Sequence, residues 1–178
     1  MRQALLVVDM LNDFVLAGAP LEVPRVREIL PALRQRVATA RRDGIPVIYI
    51  CDAHAADDRE FSRMGWPVHA VRGTPGAEVV VDLAPQTGEA VVAKTSYSGF
   101  HATDLESLLR KLDVEELILT GCVTNICILY TAADAVMRGF HVRVPADCVA
   151  PLDPADGDFA LRQMKNVLGV NVEMNSKD

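Results

Sequence analysis

Positive charge is in short supply in this chain. Against 24 Asp and Glu stand 18 Lys and Arg, a formal net charge of −6. The two signs are interspersed, so no basic face is offered to a nucleic acid or an anionic membrane, and neither is expected as a partner. No apolar run reaches the roughly 18 residues a membrane span requires. Met1-Arg2-Gln3 leads straight into a strand-like run instead of a signal peptide, which makes a cytoplasmic location the expectation. Cysteine is sparse too. Cys51, Cys122, Cys127 and Cys148 fit no zinc knuckle, CxxC pair or haem motif. In a reducing compartment buried free thiols account for such residues.

Apolar material, by contrast, is plentiful: half of the 178 residues are hydrophobic. That length suits a single domain spanning 1–178, able to bury roughly 70% of its unfolded surface. Ala4 to Val8 is a continuous apolar run, as expected of a strand buried on both faces. Val26, Ile29, Leu30, Leu33, Val37 and Ala40 recur at helical spacing, and Asp43-Gly44 stops that helix. Further strands are predicted at 46–50, 89–93, 117–120 (broken by Gly121), 142–144 and about 170–174. Helices are predicted at 104–112, about 125–138 and 159–167. Strand and helix alternating this way predict an α/β fold of three layers: a mostly parallel six-stranded sheet with helices on both faces, Rossmann-like in plan. Residues 53–88 resist the pattern, and loops of such length are usually functional.

In parallel sheets ligands bind beyond the carboxyl ends of the strands. Asp9, Asp52, His54, Lys94 and the stretch from Cys122 to Cys127 all fall there. Cys127 follows a strand and a capping Thr124 or Asn125. It is either a buried core thiol or a nucleophile in a helix's first turn, where unpaired N–H groups and the helix dipole favour a thiolate and an oxyanion. Asp9 is either a turn residue or a general base, and Lys94 either a snorkelling surface lysine or a charged partner of both. Asp52-Ala53-His54 puts a carboxylate and an imidazole on one face of a strand end. With Glu60 and His69 further on, it is either a chance cluster or a metal site. His101 and His141 read as ordinary structural or surface residues.

Taken together, several motifs resemble the nicotinamidase branch of the isochorismatase-like cysteine hydrolases. They are Val7-Val8-Asp9-Met10 with Asp13-Phe14, Asp52-Ala53-His54, Trp66-Pro67-Val68-His69 and Gly73-Thr74-Pro75-Gly76. Lys94 with Tyr97-Ser98-Gly99-Phe100, Thr103-Asp104-Leu105, and Thr120-Gly121 with Thr124-Asn125-Ile126-Cys127 complete the set. The resemblance spans nearly the whole chain, in the family's order. It implies a catalytic triad of Cys127, Asp9 and Lys94. It also implies a cis Cys122–Val123 peptide, and an oxyanion hole from the N–H groups of Val123 and Cys127. It implies a divalent metal, zinc or else manganese or iron, on Asp52, His54 and His69, with Glu60 a candidate fourth ligand. Phe14, Trp66 and Tyr97 match positions that enclose a substrate ring, and the family tends to form homodimers or homotetramers. The implied activity is hydrolysis of nicotinamide to nicotinate and ammonia through a thioester. The alternatives are an isochorismatase-type, ureidoacrylate or N-carbamoylsarcosine-like hydrolase of the same fold, or a non-catalytic module that binds a small molecule. For Cys122 the family usually has a small apolar residue, and no mechanism requires a thiol there.

Overall fold

The computed structural model describes residues 1–174. Its strands are β1 (Gln3–Val8), β2 (Val47–Asp52), β3 (Ala90–Lys94), β4 (Glu116–Cys122), β5 (His141–Pro145), β6 (Val149–Ala150) and β7 (Asn171–Glu173). Its α-helices are α1 (Asn12–Val15), α2 (Val26–Arg42), α3 (Arg59–Met64), α4 (Leu105–Lys111), α5 (Leu129–Met137) and α6 (Pro154–Asn166). Six strands lie in the order β3-β2-β1-β4-β5-β7, all parallel, as expected. The two-residue β6 is an addition: it pairs with Gly121 and Cys122, extending the place of β5 along the far end of β4.

The alternation along β1 explains the three layers. Leu5 and Val7 point into one core, which they share with Ile29, Leu33, Val37 and Ala40 of α2. Ala4, Leu6 and Val8 point into the other, against Leu105 and Leu109 of α4, Ala132 and Ala135 of α5, and Met164 of α6. Successive strand side chains face opposite ways, so a continuous apolar run is what two helix layers demand. Among the described residues, no helix is long and apolar enough to cross a membrane.

Several boundaries differ from the sequence reading, each for a local reason. Gly121 does not break its strand; β4 runs through it to Cys122. Its φ of +109° brings the chain so close to β1 that a Cβ there would lie 2.0 Å from the Val8 carbonyl oxygen. The helix expected from about residue 125 begins instead as a π-helical turn over Thr124–Ile128 before α5 takes over. The last helix starts at Pro154, not at Phe159: the Asp153 side chain caps the N–H of Ala155 at 2.8 Å, and Pro154 is suited to the first turn. Inside the irregular stretch the structure shows α3, whose start is capped by Asp58 accepting from Glu60 N at 2.9 Å.

Candidate active site

The strand order β3-β2-β1-β4 sets four carboxyl ends side by side, and the candidate residues converge there. Asp9 leaves β1 with a left-handed backbone, φ +50°, while its N–H still donates to the Ile50 carbonyl at 2.8 Å. Asp9 Oδ1 accepts the Asp52 N–H at 2.8 Å. Asp9 Oδ2 lies 2.8 Å from Lys94 Nζ, which also contacts Asp52 Oδ1 and stands 3.4 Å from Cys127 Sγ. The Lys94 side chain has no exposed surface, so it does not snorkel. Cys127 sits inside the π turn, at 6% exposure.

Burial and crowding set the charges. Burial, helped by the charge of Asp52, pushes Asp9 up to about 6 against the pull of Lys94. Burial would also raise Asp52, but Lys94 and His54 outweigh it and hold that carboxyl below its usual range. For Lys94 desolvation is again opposed, here by Asp52 and Asp9, and its ammonium is strongly retained. For Cys127 the sequence reading left open a buried core thiol and a nucleophile whose thiolate the turn would favour. Lys94 acts toward the thiolate, but burial, with Asp9 and Asp52 close by, drives the thiol well above its usual range. Burial thus opposes a resting thiolate.

The Cys122–Val123 peptide is cis, as the resemblance implied. The Val123 carbonyl accepts from Ile126 N at 3.0 Å and Ile128 N at 3.2 Å, which fixes the turn. Val123 and Cys127 both line the cleft. Cys122 Sγ donates to the Asp9 carbonyl oxygen at 3.2 Å, so this thiol anchors the left-handed turn that carries Asp9. No sequence signal pointed to that bond.

Beside this cluster, donor atoms of Asp52, His54 and His69 lie within 4.8 Å of one another, all buried. His54 Nδ1 is 3.0 Å from Asp58 Oδ2, and His69 Nδ1 is 2.8 Å from the Pro67 carbonyl. Each Nδ1 is thereby engaged, which leaves each Nε2 as the nitrogen facing a cation; at His54 the cation would have to displace the proton that Asp52 and Asp58 favour. His54 Nε2 is 3.6 Å from Asp52 Oδ2. Burial disfavours charge on His54, yet Asp52 and Asp58 outweigh it and push the ring up to about 9. One carboxylate and two pinned imidazoles fit zinc, manganese or iron. Glu60 lies outside this triangle, in a separate group with His54 and Asp58, although it lines the cleft.

Phe14, Trp66 and Tyr97 all wall the cleft. Phe14 and Trp66 set their rings 5.3 and 6.1 Å from His69, and Trp66 lies 6.3 Å from Tyr97. Three further contributors were given no role by the sequence reading, although Asp13 stands in one of its motifs. Asp58 orients His54, and its place four residues on was the available signal. Phe61 packs 5.3 Å from His54 and 5.1 Å from His69. Asp13 Oδ2 accepts the Ala70 N–H at 2.8 Å, tying down the residue after His69. The open volume of the cleft is about 20 Å³, room for about one water.

Comparison with known proteins identifies the fold family. The isochorismatase domain model matches residues 3–176. A nicotinamidase/pyrazinamidase of Mycobacterium tuberculosis is 32% identical, over 92% of this chain and 94% of its own. Among solved structures, N-carbamoylsarcosine amidase from Thermoplasma acidophilum is 35% identical with a TM-score of 0.87, covering 100% of this chain and 99% of that one. The zinc complex of Pyrococcus horikoshii pyrazinamidase is 34% identical with a TM-score of 0.90, covering 98% and 100%.

Proposed function

The chain belongs to the isochorismatase family, and from that premise we propose that it hydrolyses a small carboxamide, nicotinamide or a close analogue, using Cys127 as nucleophile. The observation that carries the reading is the buried Lys94 Nζ, touching the Asp9 carboxylate at 2.8 Å and standing 3.4 Å from the Cys127 sulfur.

Burial favours the thiol form of Cys127, and attack on the amide carbon is coupled to proton transfer from sulfur to Asp9. The N–H groups of Val123 and Cys127 hold the oxyanion of the tetrahedral intermediate. Asp9 then gives the proton to the departing nitrogen; ammonia leaves and a thioester remains on Cys127. Water enters, Asp9 takes one of its protons, and the hydroxide adds to the thioester carbon. Collapse releases the acid, and the thiolate regains the proton from Asp9. Lys94 keeps its charge throughout and offsets the negative charge that moves between sulfur and carboxylate. Asp52, His54 and His69 would hold a divalent cation, which when bound supplies a Lewis acid for a ring nitrogen of the substrate. Phe14, Trp66 and Tyr97 offer flat walls to a planar ring.

A second reading keeps the chemistry and changes the substrate to a carbamoyl or ureido acid, favoured by the 35% identity to N-carbamoylsarcosine amidase. Ammonia release from nicotinamide, pyrazinamide, ureidoacrylate and N-carbamoylsarcosine, each with zinc, manganese or iron, separates the two. Cys127→Ala is expected to abolish release from every amide while melting at the wild-type temperature. Turnover surviving in that variant would remove the mechanism.

A further inference from the structure

The helix that follows the Cys127 turn carries a second pattern. Tyr130, Thr131 and Asp134 share one stripe of α5, which begins within a turn of the nucleophile. Each of the three grips the loop that follows Lys94. The Tyr130 ring stacks on Tyr97 with 5.7 Å between centroids, and Thr131 Oγ1 accepts the Gly99 N–H at 2.9 Å. The Ser98 hydroxyl donates to Asp134 Oδ2 and accepts the Phe100 N–H at 3.1 Å.

These bonds fix a segment that the sheet does not. β3 is an edge strand, and the Ala53 N–H still reaches the Lys94 carbonyl at 2.9 Å where it ends. Between β3 and β4 stand β2 and β1, roughly 14 Å of sheet at about 4.8 Å per strand, so strand pairing sets no direct distance from Tyr97 to Cys127. The grip from α5 does. Its parts are held in turn: Asp134 Oδ1 accepts from Arg138 Nη1 at 2.6 Å, and Arg138 Nε donates to Glu106 Oε2 on α4 at 3.0 Å. Ser98, Gly99 and Thr131 are buried, and at Gly99 a Cβ would lie 3.0 Å from the Ile50 side chain. From the other side α3 touches only the tip of the Tyr97 ring, where Glu60 and Arg63 meet its hydroxyl.

Resting on the amide-hydrolase reading, we propose that Ser98, Thr131 and Asp134 are positioning residues that hold the Tyr97 wall at a set distance from the Cys127 sulfur. One helix carries the nucleophile's turn at its start and the anchor of the substrate wall within the next two turns. The clamp touches neither substrate nor reacting atoms; it acts through Tyr97. With the clamp closed, the face of the wall is in place before a planar substrate arrives, and binding carries no cost of ordering it. With the clamp released, the substrate must order residues 95–100 itself. Lys94 keeps its contacts with Asp9 and Asp52 in both cases, so the loss falls on binding and spares the chemical step.

The test follows ammonia release from nicotinamide and pyrazinamide by the metal-supplemented enzyme and its Ser98→Ala, Asp134→Asn, Thr131→Val and Tyr97→Ala variants, with a Ser98→Ala/Tyr97→Ala double variant. Ser98→Ala is expected to raise KM at least about fivefold, the scale of one aromatic contact, with kcat within about twofold of wild type. Thr131→Val should act in the same direction. Asp134→Asn keeps an oxygen for the Ser98 hydroxyl and should raise KM less. In the Tyr97→Ala background, adding Ser98→Ala should change KM no further, a non-additivity that a serine with a purely structural role does not produce. Should Ser98→Ala not fold, Asp134→Asn takes its place in the cycle. An unchanged KM, a loss confined to kcat, or a penalty undiminished in the Tyr97→Ala background overturns the clamp and leaves the hydrolase reading standing. Ammonia from ureidoacrylate or N-carbamoylsarcosine with none from the two ring amides also overturns it, because the flat wall then has no planar ring to meet. No ammonia from any of the four sinks both.

Discussion

The backbone N–H of Asp52 donates to Asp9 Oδ1 at 2.8 Å, so the first residue of the candidate metal triangle also fixes the candidate general base. The same Asp52 presents its carboxylate to Lys94 on one side and to His54 on the other. Chemistry at sulfur and binding at the imidazoles are thus built on one pair of adjacent strand ends. A change at either is felt by both.

Lys94 carries the heaviest electrostatic load. It is fully buried between Asp9 and Asp52, and removing it leaves two carboxylates in a site that desolvates both. Lys94→Met is expected to cost about 3–5 kcal/mol in the metal-free protein, the scale of a buried pair broken on one side. Urea denaturation reads it. Adding Asp52→Asn to that variant should restore part of the loss, because it removes one of the stranded charges. A single variant as stable as wild type would mean that water or rearrangement neutralises the cluster.

Much of this was visible before any coordinates. Asp9, Asp52 and Lys94 each close an apolar run, and the rule that parallel strands present their carboxyl ends to a ligand predicts that they meet. What stayed hidden was nonlocal or looked like something else. Gly121 reads as a terminator, because glycine usually is one; here it permits a backbone approach that only the pairing with Val8 explains. Asp58 lies in the stretch without a regular pattern, yet one of its oxygens caps α3 and the other orients His54. The Cys122 bond to the Asp9 carbonyl joins residues 113 apart, which no local pattern encodes. The upward push on the Cys127 thiol comes from burial, a property of the packed cleft rather than of the Cys127 turn.

The imidazole pair makes a prediction with a readout separate from turnover. Purified protein supplemented with zinc, manganese or iron and then desalted should retain a divalent ion in proportion to chain, measured by elemental analysis. His69→Ala removes one donor whose Nδ1 is already fixed by Pro67, and should lower affinity at least about tenfold. Asp58→Asn should lower it by less, since it only loosens the orientation of His54. Equal retention in all three proteins would show the triangle is a structural polar cluster.

At Gly121 the close approach to β1 leaves no room for a side chain. A Cβ would meet the Val8 carbonyl oxygen at 2.0 Å, and φ of +109° is itself a region L-residues avoid. Gly121→Ala should therefore destabilise by more than about 3 kcal/mol, as overpacking and backbone strain add. Because β4 ends one residue later, at Cys122, activity should fall even in the fraction that folds. A variant with the wild-type melting temperature would show that β1 and β4 can separate without penalty.

Far from the cleft, Glu89 offers a test of pH dependence that no metal can confuse. It accepts from Arg41 Nε and Nη2, both at 2.8 Å, and from Gln86 N at 2.7 Å, and the Arg41 bonds foremost hold its carboxyl below the ordinary 4.5. A depressed folded-state value means the charged form is the one folding favours. The contribution is complete above about pH 4.5 and is lost as pH falls through the lower folded value. Glu89→Gln should accordingly cost about 1 kcal/mol at pH 7. The two stability curves should converge as the pH drops below 4.5. A constant gap down to acid pH would mean that the glutamine loses packing or geometry rather than charge.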